Sequence, residues 1–170
     1  MKKWIKLISI SATLLIIDII IKRYVYMYVP KMSFAHPFYP YGGIAVFNNI
    51  FGVSFSINFV QNPGAAWGAF SSYSTYLFYL RILIIVGLII YLIYTNPGFK
   101  KALGFCLIVA GAIGNILDYI FYGYVVDMFY FTFGSYSYPV FNVADSMITV
   151  GIIWVLLGSL FFFKKEAKKS

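Results

Sequence analysis

Four long apolar runs constrain this chain more than any other feature. Trp4–Tyr24, Tyr76–Tyr94, Ala102–Tyr122 and Phe141–Phe163 each approach or exceed the roughly 20 residues a helix needs to cross hydrocarbon. A bilayer core offers backbone N–H and C=O groups no partner, so each run must close its hydrogen bonds on itself as an α-helix. Hydrophobic residues make up 62% of the 170 residues and charged ones 11%, against about a quarter charged in soluble domains. The expectation is an all-α membrane protein, residues 1–170 forming a single membrane domain with four transmembrane helices. Lys2 and Lys3 before an apolar stretch resemble a signal peptide. That run, however, continues past Asp18 to Lys22 with no A-x-A cleavage site, so the first helix is read as retained.

Charge sets the orientation. A net charge of +8 would suit nucleic acid, but the cations sit at segment ends, where they orient a protein in a membrane. Lys2, Lys3, Lys6, Lys100, Lys101, Lys164, Lys165, Lys168 and Lys169 fall on one side of four spans, against Lys22, Arg23 and Lys31 on the other. Both termini are therefore expected in the cytoplasm, with residues 25–75 and 123–140 facing outward. Within the first outer loop Val53, Phe55, Ile57 and Phe59 alternate with Ser54, Ser56 and Asn58, the period of a half-buried strand. Gly42-Gly43 and Asn48-Asn49 supply turns before it, and Asn96-Pro97-Gly98 is expected to end the second helix. A small extracytoplasmic β-sheet is expected in that loop, over about residues 40–70, lying on the outer membrane surface.

The acids carry the functional argument. Of five acidic residues, Asp118, Asp127 and Asp145 fall between Gly111 and Asp145, among apolar neighbours. A carboxylate at membrane depth costs several kcal/mol unless function needs it. At ~1.5 Å rise per residue, Asp18, Asp118 and Asp145 lie about 6, 9 and 10 Å outward of their helix midpoints. Asp127 is read as sitting in the outer loop beyond the third helix, so four acids converge near the outer leaflet. Gly111, Asn115 and Asp118 share a helix face at i, i+4, i+7; Asn142 and Asp145 pair at i, i+3; Asp18 and Lys22 pair at i, i+4.

Two facing carboxylates share one proton, because like charges a few ångströms apart cannot both ionise. The ionised member can take a proton from water attacking an amide, while the protonated member donates to the oxyanion and then to the leaving amine. Asp127 and Asp145 border membrane segments that water can reach and are the best candidates; Asp118 lies deeper and reads as structural. Other chemistries are less well supplied: a Ser–Lys dyad using Lys22 or Lys31 stays open, but no particular serine is marked out for it. His36 and Cys106, one of each, cannot build a zinc site, HExxH is absent, and so is G-x-S-x-G. The competing class is a small proton-coupled transporter or channel subunit using the acids as a relay.

Five ordered blocks resemble the bacterial lipoprotein signal peptidases (type II, prolipoprotein signal peptidases). Asp18-Ile-Ile-Ile-Lys22 looks like D-x-x-x-K; Asn62-Pro63-Gly64-Ala65-Ala66 looks like N-x-G-A-A; Gly111-Ala112-Ile113-Gly114-Asn115-Ile116-Leu117-Asp118 looks like G-A-x-G-N-x-x-D. Val125-Val126-Asp127 and Phe141-Asn142-Val143-Ala144-Asp145 look like the two blocks that carry the catalytic aspartates. The resemblance implies that Asp127 and Asp145 are catalytic and that Asn62, Gly64, Asn115, Asn142 and Ala144 line the site. Asp18, Lys22 and Asp118 would support it. The implied reaction of this aspartyl endopeptidase is hydrolysis of the peptide bond immediately before a diacylglyceryl-modified cysteine, with no cofactor and no metal. The implied partners are prolipoprotein signal peptides and membrane lipid, not nucleic acid, for a monomer in the bacterial cytoplasmic (inner) membrane. One position departs from the family: Tyr119 stands where the family has Arg, which leaves Asp118 less tied down or compensated by Lys22 or Arg81.

Overall fold

A computed structural model describes residues 1–36, 38–63 and 70–161; Gly64 and the C-terminal lysines lie outside the described residues. In chain order the elements are α1 (Lys2–Tyr28), β1 (Ile44–Ile50), β2 (Val53–Asn62), α2 (Ser74–Thr95), α3 (Phe99–Tyr122), β3 (Val125–Phe133), β4 (Tyr136–Ser137) and α4 (Val143–Phe161). All four helices are long and apolar enough to cross a membrane. The expected Asn96-Pro97-Gly98 stop falls between α2 and α3, with Asn96 at φ 39°. The helix α4 begins two residues later than its apolar run suggested. Phe141 is taken by the sheet, where its carbonyl accepts the N–H groups of Met128 and Phe129.

The all-α description needs correction. The four strands form one antiparallel sheet in the order β1-β2-β3-β4, and only the first two come from the first outer loop. The aromatic stretch Val125–Phe133, read as loop, is a nine-residue strand, so Asp127 sits in a strand and not in a loop. Its sequence, VVDMFYFTF, is β-branched or aromatic at every position but Asp127 and Met128 and suits a pleated surface. The single-domain reading is refined to two compact units: Met1–Ile17, Phe78–Ile116 and the chain from Val143 in one, Asp18–Leu77 and Leu117–Asn142 in the other.

The helical unit packs through small residues. A Cβ built on Gly151 would lie 2.6 Å from the Gly104 carbonyl oxygen, and one on Gly104 would meet Val155 Cγ2 at 2.6 Å. Without a hydrophobic drive between helices in lipid, such close backbone approach is what holds α3 to α4. Leu7, Leu92 and Ala102 form its buried cluster. Gly151→Val is expected to destabilise by roughly 1–3 kcal/mol through overpacking, read as a lower melting temperature in detergent. Gly87→Val meets nothing within 4 Å and is the control; equal melting of the two variants would show that the close approach does not matter.

The sheet unit is built the other way round from a sheet in water. Along β2 the polar Ser54, Ser56 and Asn58 are buried, while Val53, Phe55 and Ile57 are half-buried. Ser56 donates to Asn58 Oδ1 at 2.6 Å, Asn58 donates to the Pro40 carbonyl at 2.7 Å, and Ser54 donates to Asn48 Oδ1 at 2.9 Å. Buried polar groups are tolerated because they pair with one another. The opposite face stacks Phe47, Phe55, Phe129 and Phe131, with Phe55 and Phe131 centroids 4.3 Å apart.

That alternation breaks once. Ile57 pairs with Phe129 but Val60 pairs with Asp127, so β2 carries an extra residue in between. The bulge turns Phe59 inward to join Val25, Val29, Val126 and Met128 in the unit's core.

Candidate active site

Asp127 is held by its sheet. It lies opposite Val60 in the register, and Asn62, opposite Val125, is its diagonal neighbour on β2. The Asn62 amide donates to Asp127 Oδ2 at 2.8 Å. Asn142, immediately before α4, donates to Asp127 Oδ1 at 2.7 Å and with its second N–H reaches the Val126 carbonyl at 3.2 Å. Each carboxylate oxygen thus receives one neutral amide, which fixes the rotamer without adding a formal charge. Asp127 is only 2% exposed and Asn142 is fully buried.

Asp145 occupies the first turn of α4, where the positive end of the helix dipole favours a carboxylate. Its partner comes from the adjacent helix of the same unit: Asn115 on α3 donates to Asp145 Oδ1 at 2.7 Å. One turn before Asn115, Gly111 leaves room for the Ala144 carbonyl, which a Cβ would strike, and for Ile148. The small residues of this block therefore let α3 meet the turn that bears Asp145. Ala144 is fully buried.

The remaining predicted residues form a charge cluster beneath β3. Lys22 Nζ lies 2.9 Å from Asp18 Oδ2 and 2.9 Å from Asp118 Oδ2. Asp118 Oδ2 also accepts the backbone N–H of Val126 at 3.0 Å. Lys22 thus pairs with Asp118, and the cluster holds the backbone of Val126, the residue before Asp127. Asn142, the residue before α4, thus holds Asp127 from outside the helix.

Within the sheet unit, a cavity of about 360 Å³ opens beside Asp127. Gln61, Asn62, Asp127, Tyr130 and Ser137 line it together with the apolar Met32. Gln61 is itself held by Lys31 at 2.6 Å. Nothing in the chain marked Tyr130 or Ser137, because residues three apart on a regular strand, such as Asp127 and Tyr130, point to opposite faces. On β3, however, Met128 and Phe129 both donate to the Phe141 carbonyl, two successive residues against one, and on either side of that irregularity Asp127 and Tyr130 line one cavity.

Asn142→Ala is expected to reduce turnover roughly 10- to 100-fold, since hydrogen bonds to a charged group are worth about 1.5–3 kcal/mol. Steady-state cleavage alongside a thermal melt checks this; an unchanged rate would show that the amide does not hold Asp127.

The Peptidase_A8 family, described as signal peptidase (SPase) II, matches residues 10–161. The lipoprotein signal peptidase of Clostridium acetobutylicum is 40% identical over 117 residues, covering 68% of this chain and 74% of that protein. That of Latilactobacillus sakei is 41% identical over 123 residues, covering 71% and 77%. Among solved structures, a bacterial membrane enzyme determined by the in meso method at 2.3 Å is 26% identical with a TM-score of 0.76, covering 97% of this chain and 92% of that one. A second, at 1.9 Å, is 29% identical with a TM-score of 0.71, covering 92% and 94%. With most of its length matched and relatives near 40% identical, the chain belongs to the signal peptidase II family and is a protease of that type.

Proposed function

We propose that this chain releases signal peptides from prolipoproteins by cutting immediately before the diacylglyceryl-modified cysteine, with Asp127 and Asp145 as the reacting carboxylates. The observation that carries the reading is that each of these two acids is clasped by asparagine amides: Asp127 by Asn62 and Asn142, Asp145 by Asn115. Amide clasps orient a carboxylate while leaving it able to exchange a proton. The ionised aspartate takes a proton from water as its oxygen attacks the carbonyl carbon. The protonated aspartate donates to the carbonyl oxygen, and collapse of the tetrahedral intermediate expels the cysteine amine, which takes up a proton as it leaves. Asn62, Asn115, Asn142 and Ala144 position the pair, while Asp18, Lys22 and Asp118 brace the strand behind Asp127. The distribution of lysines supports cytoplasmic termini and a reaction near the outer leaflet of the cytoplasmic membrane.

The test is a gel-shift assay with purified protein and a lipidated precursor, followed by mass analysis of the products. A lipid-bearing fragment beginning with cysteine is expected. A proton-coupled transporter would instead give uptake into liposomes and no product band, and that result would overturn the proposal.

A further inference from the structure

We propose that the hydroxyl pair Tyr130–Ser137 donates a hydrogen bond to a backbone carbonyl of the precursor peptide and so aligns that peptide against Asp127. The inference rests on the peptidase reading above and adds two residues to it. Tyr130 Oη and Ser137 Oγ are 2.9 Å apart, and both line the cavity that contains Asp127 and Asn62. Two hydroxyls carry two protons, and their mutual hydrogen bond uses one. The other is left to donate.

The placement suits a peptide backbone. Tyr130 is 4% exposed, its ring held near Tyr41 at a centroid distance of 6.1 Å, so its hydroxyl is fixed at little entropic cost. Ser137 is carried on β4, a two-residue strand pairing Thr132 with Ser137 and Phe133 with Tyr136. That hairpin turns through Gly134 at φ 58°. The cavity's lining combines polar Gln61, Asn62 and Asp127, which suit backbone amides and carbonyls, with apolar Met32 and Val60, which suit a side chain. An extended peptide offers both surfaces at once. Neither hydroxyl takes part in the proton transfers assigned to the aspartates, so their contribution is to binding and alignment.

The experiment compares the wild type, Tyr130→Phe and Ser137→Ala with one lipidated precursor, reading KM, kcat and melting temperature. Tyr130→Phe keeps the ring and removes one hydroxyl, and Ser137→Ala removes the other. The proposal expects Tyr130→Phe to raise KM roughly 5- to 10-fold, the worth of one hydrogen bond, with kcat within about twofold and the melting temperature unchanged. Ser137→Ala is expected to raise KM in the same direction. KM within twofold of wild type in both variants would overturn it, as would a KM rise that only follows a lowered melting temperature. Should Tyr130→Phe fail to fold, Ser137→Ala on the exposed hairpin decides by the same criteria. Absence of cleavage by the wild type would instead sink the peptidase reading, so the two failures are told apart.

Discussion

Replacing either Asp127 or Asp145 by Asn is expected to abolish detectable cleavage of a lipidated precursor, a loss of at least ~10²–10⁴-fold from general acid–base chemistry alone. The expectation follows from how the two acids are held. Asn in place of Asp127 keeps the size of the side chain and stays within reach of Asn62 and Asn142. One of its polar atoms becomes a donor facing a donor, a local mismatch that costs stability without emptying the site. At position 145 the same change faces the Asn115 amide, from which an Asn side-chain oxygen still accepts. Both variants should therefore purify as folded protein with near-normal melting, and inactivity can be assigned to the lost carboxylate. Full activity in either variant would remove that aspartate from the reaction. Loss in one and retention in the other would replace the two-acid mechanism with a single general base.

The second large effect concerns Lys22, a fully aliphatic-stemmed cation 1% exposed between two carboxylates. Removing one partner of a buried ion cluster leaves uncompensated charge, at a cost of roughly 3–5 kcal/mol. Lys22→Met is expected to approach that loss, since Asp18 and Asp118 would then face each other without the ammonium. The damage should reach the site through the backbone: Asp118 holds the Val126 N–H, and Val126 directly precedes Asp127. The triple variant Lys22→Met, Asp18→Asn, Asp118→Asn removes the charges together and should recover much of the stability. Thermal melts of both proteins in the same detergent check the ordering. A Lys22→Met protein as stable as the wild type would show that the cluster is not held by its cation.

Asp118→Asn alone removes one carboxylate from Lys22 but leaves it in a neutral pair with Asp18, and it weakens the hold on Val126. Its effect should thus fall on turnover more than on folding, which separates the cluster's two roles.

Much of this protein could be read directly from its chain. Four apolar runs gave four helices, because a lipid-exposed backbone has no alternative that satisfies its hydrogen bonds. The Asn-Pro-Gly stop between α2 and α3 held because proline and glycine act locally, whatever surrounds them. The Asp18–Lys22 pair was likewise legible from helical spacing alone. Periodicity also announced β2, yet it could not say which face would be buried. Burial depends on what covers the strand, and here Pro40, Asn48 and their neighbours close over the serines while the phenylalanines stay outward.

What only the tertiary structure decided lies around Asp127. Its strand pairs with β2 across more than sixty residues of chain, so no local pattern marked Val125–Phe133 as part of the sheet. The single extra residue between Ile57 and Val60 shifts the phase of β2 and turns Phe59 inward. On β3, Met128 and Phe129 both meet the Phe141 carbonyl, and Asp127 and Tyr130 come to line one cavity. Lys22 meets Asp118 in the same way, by the packing of the Asp18–Tyr28 end of α1 beside the end of α3 within one unit. Sequence fixes what repeats along the chain, because periodicity is a property of neighbouring residues. Registers, bulges and ion partners arise from pairings between distant segments, and only folding selects among those.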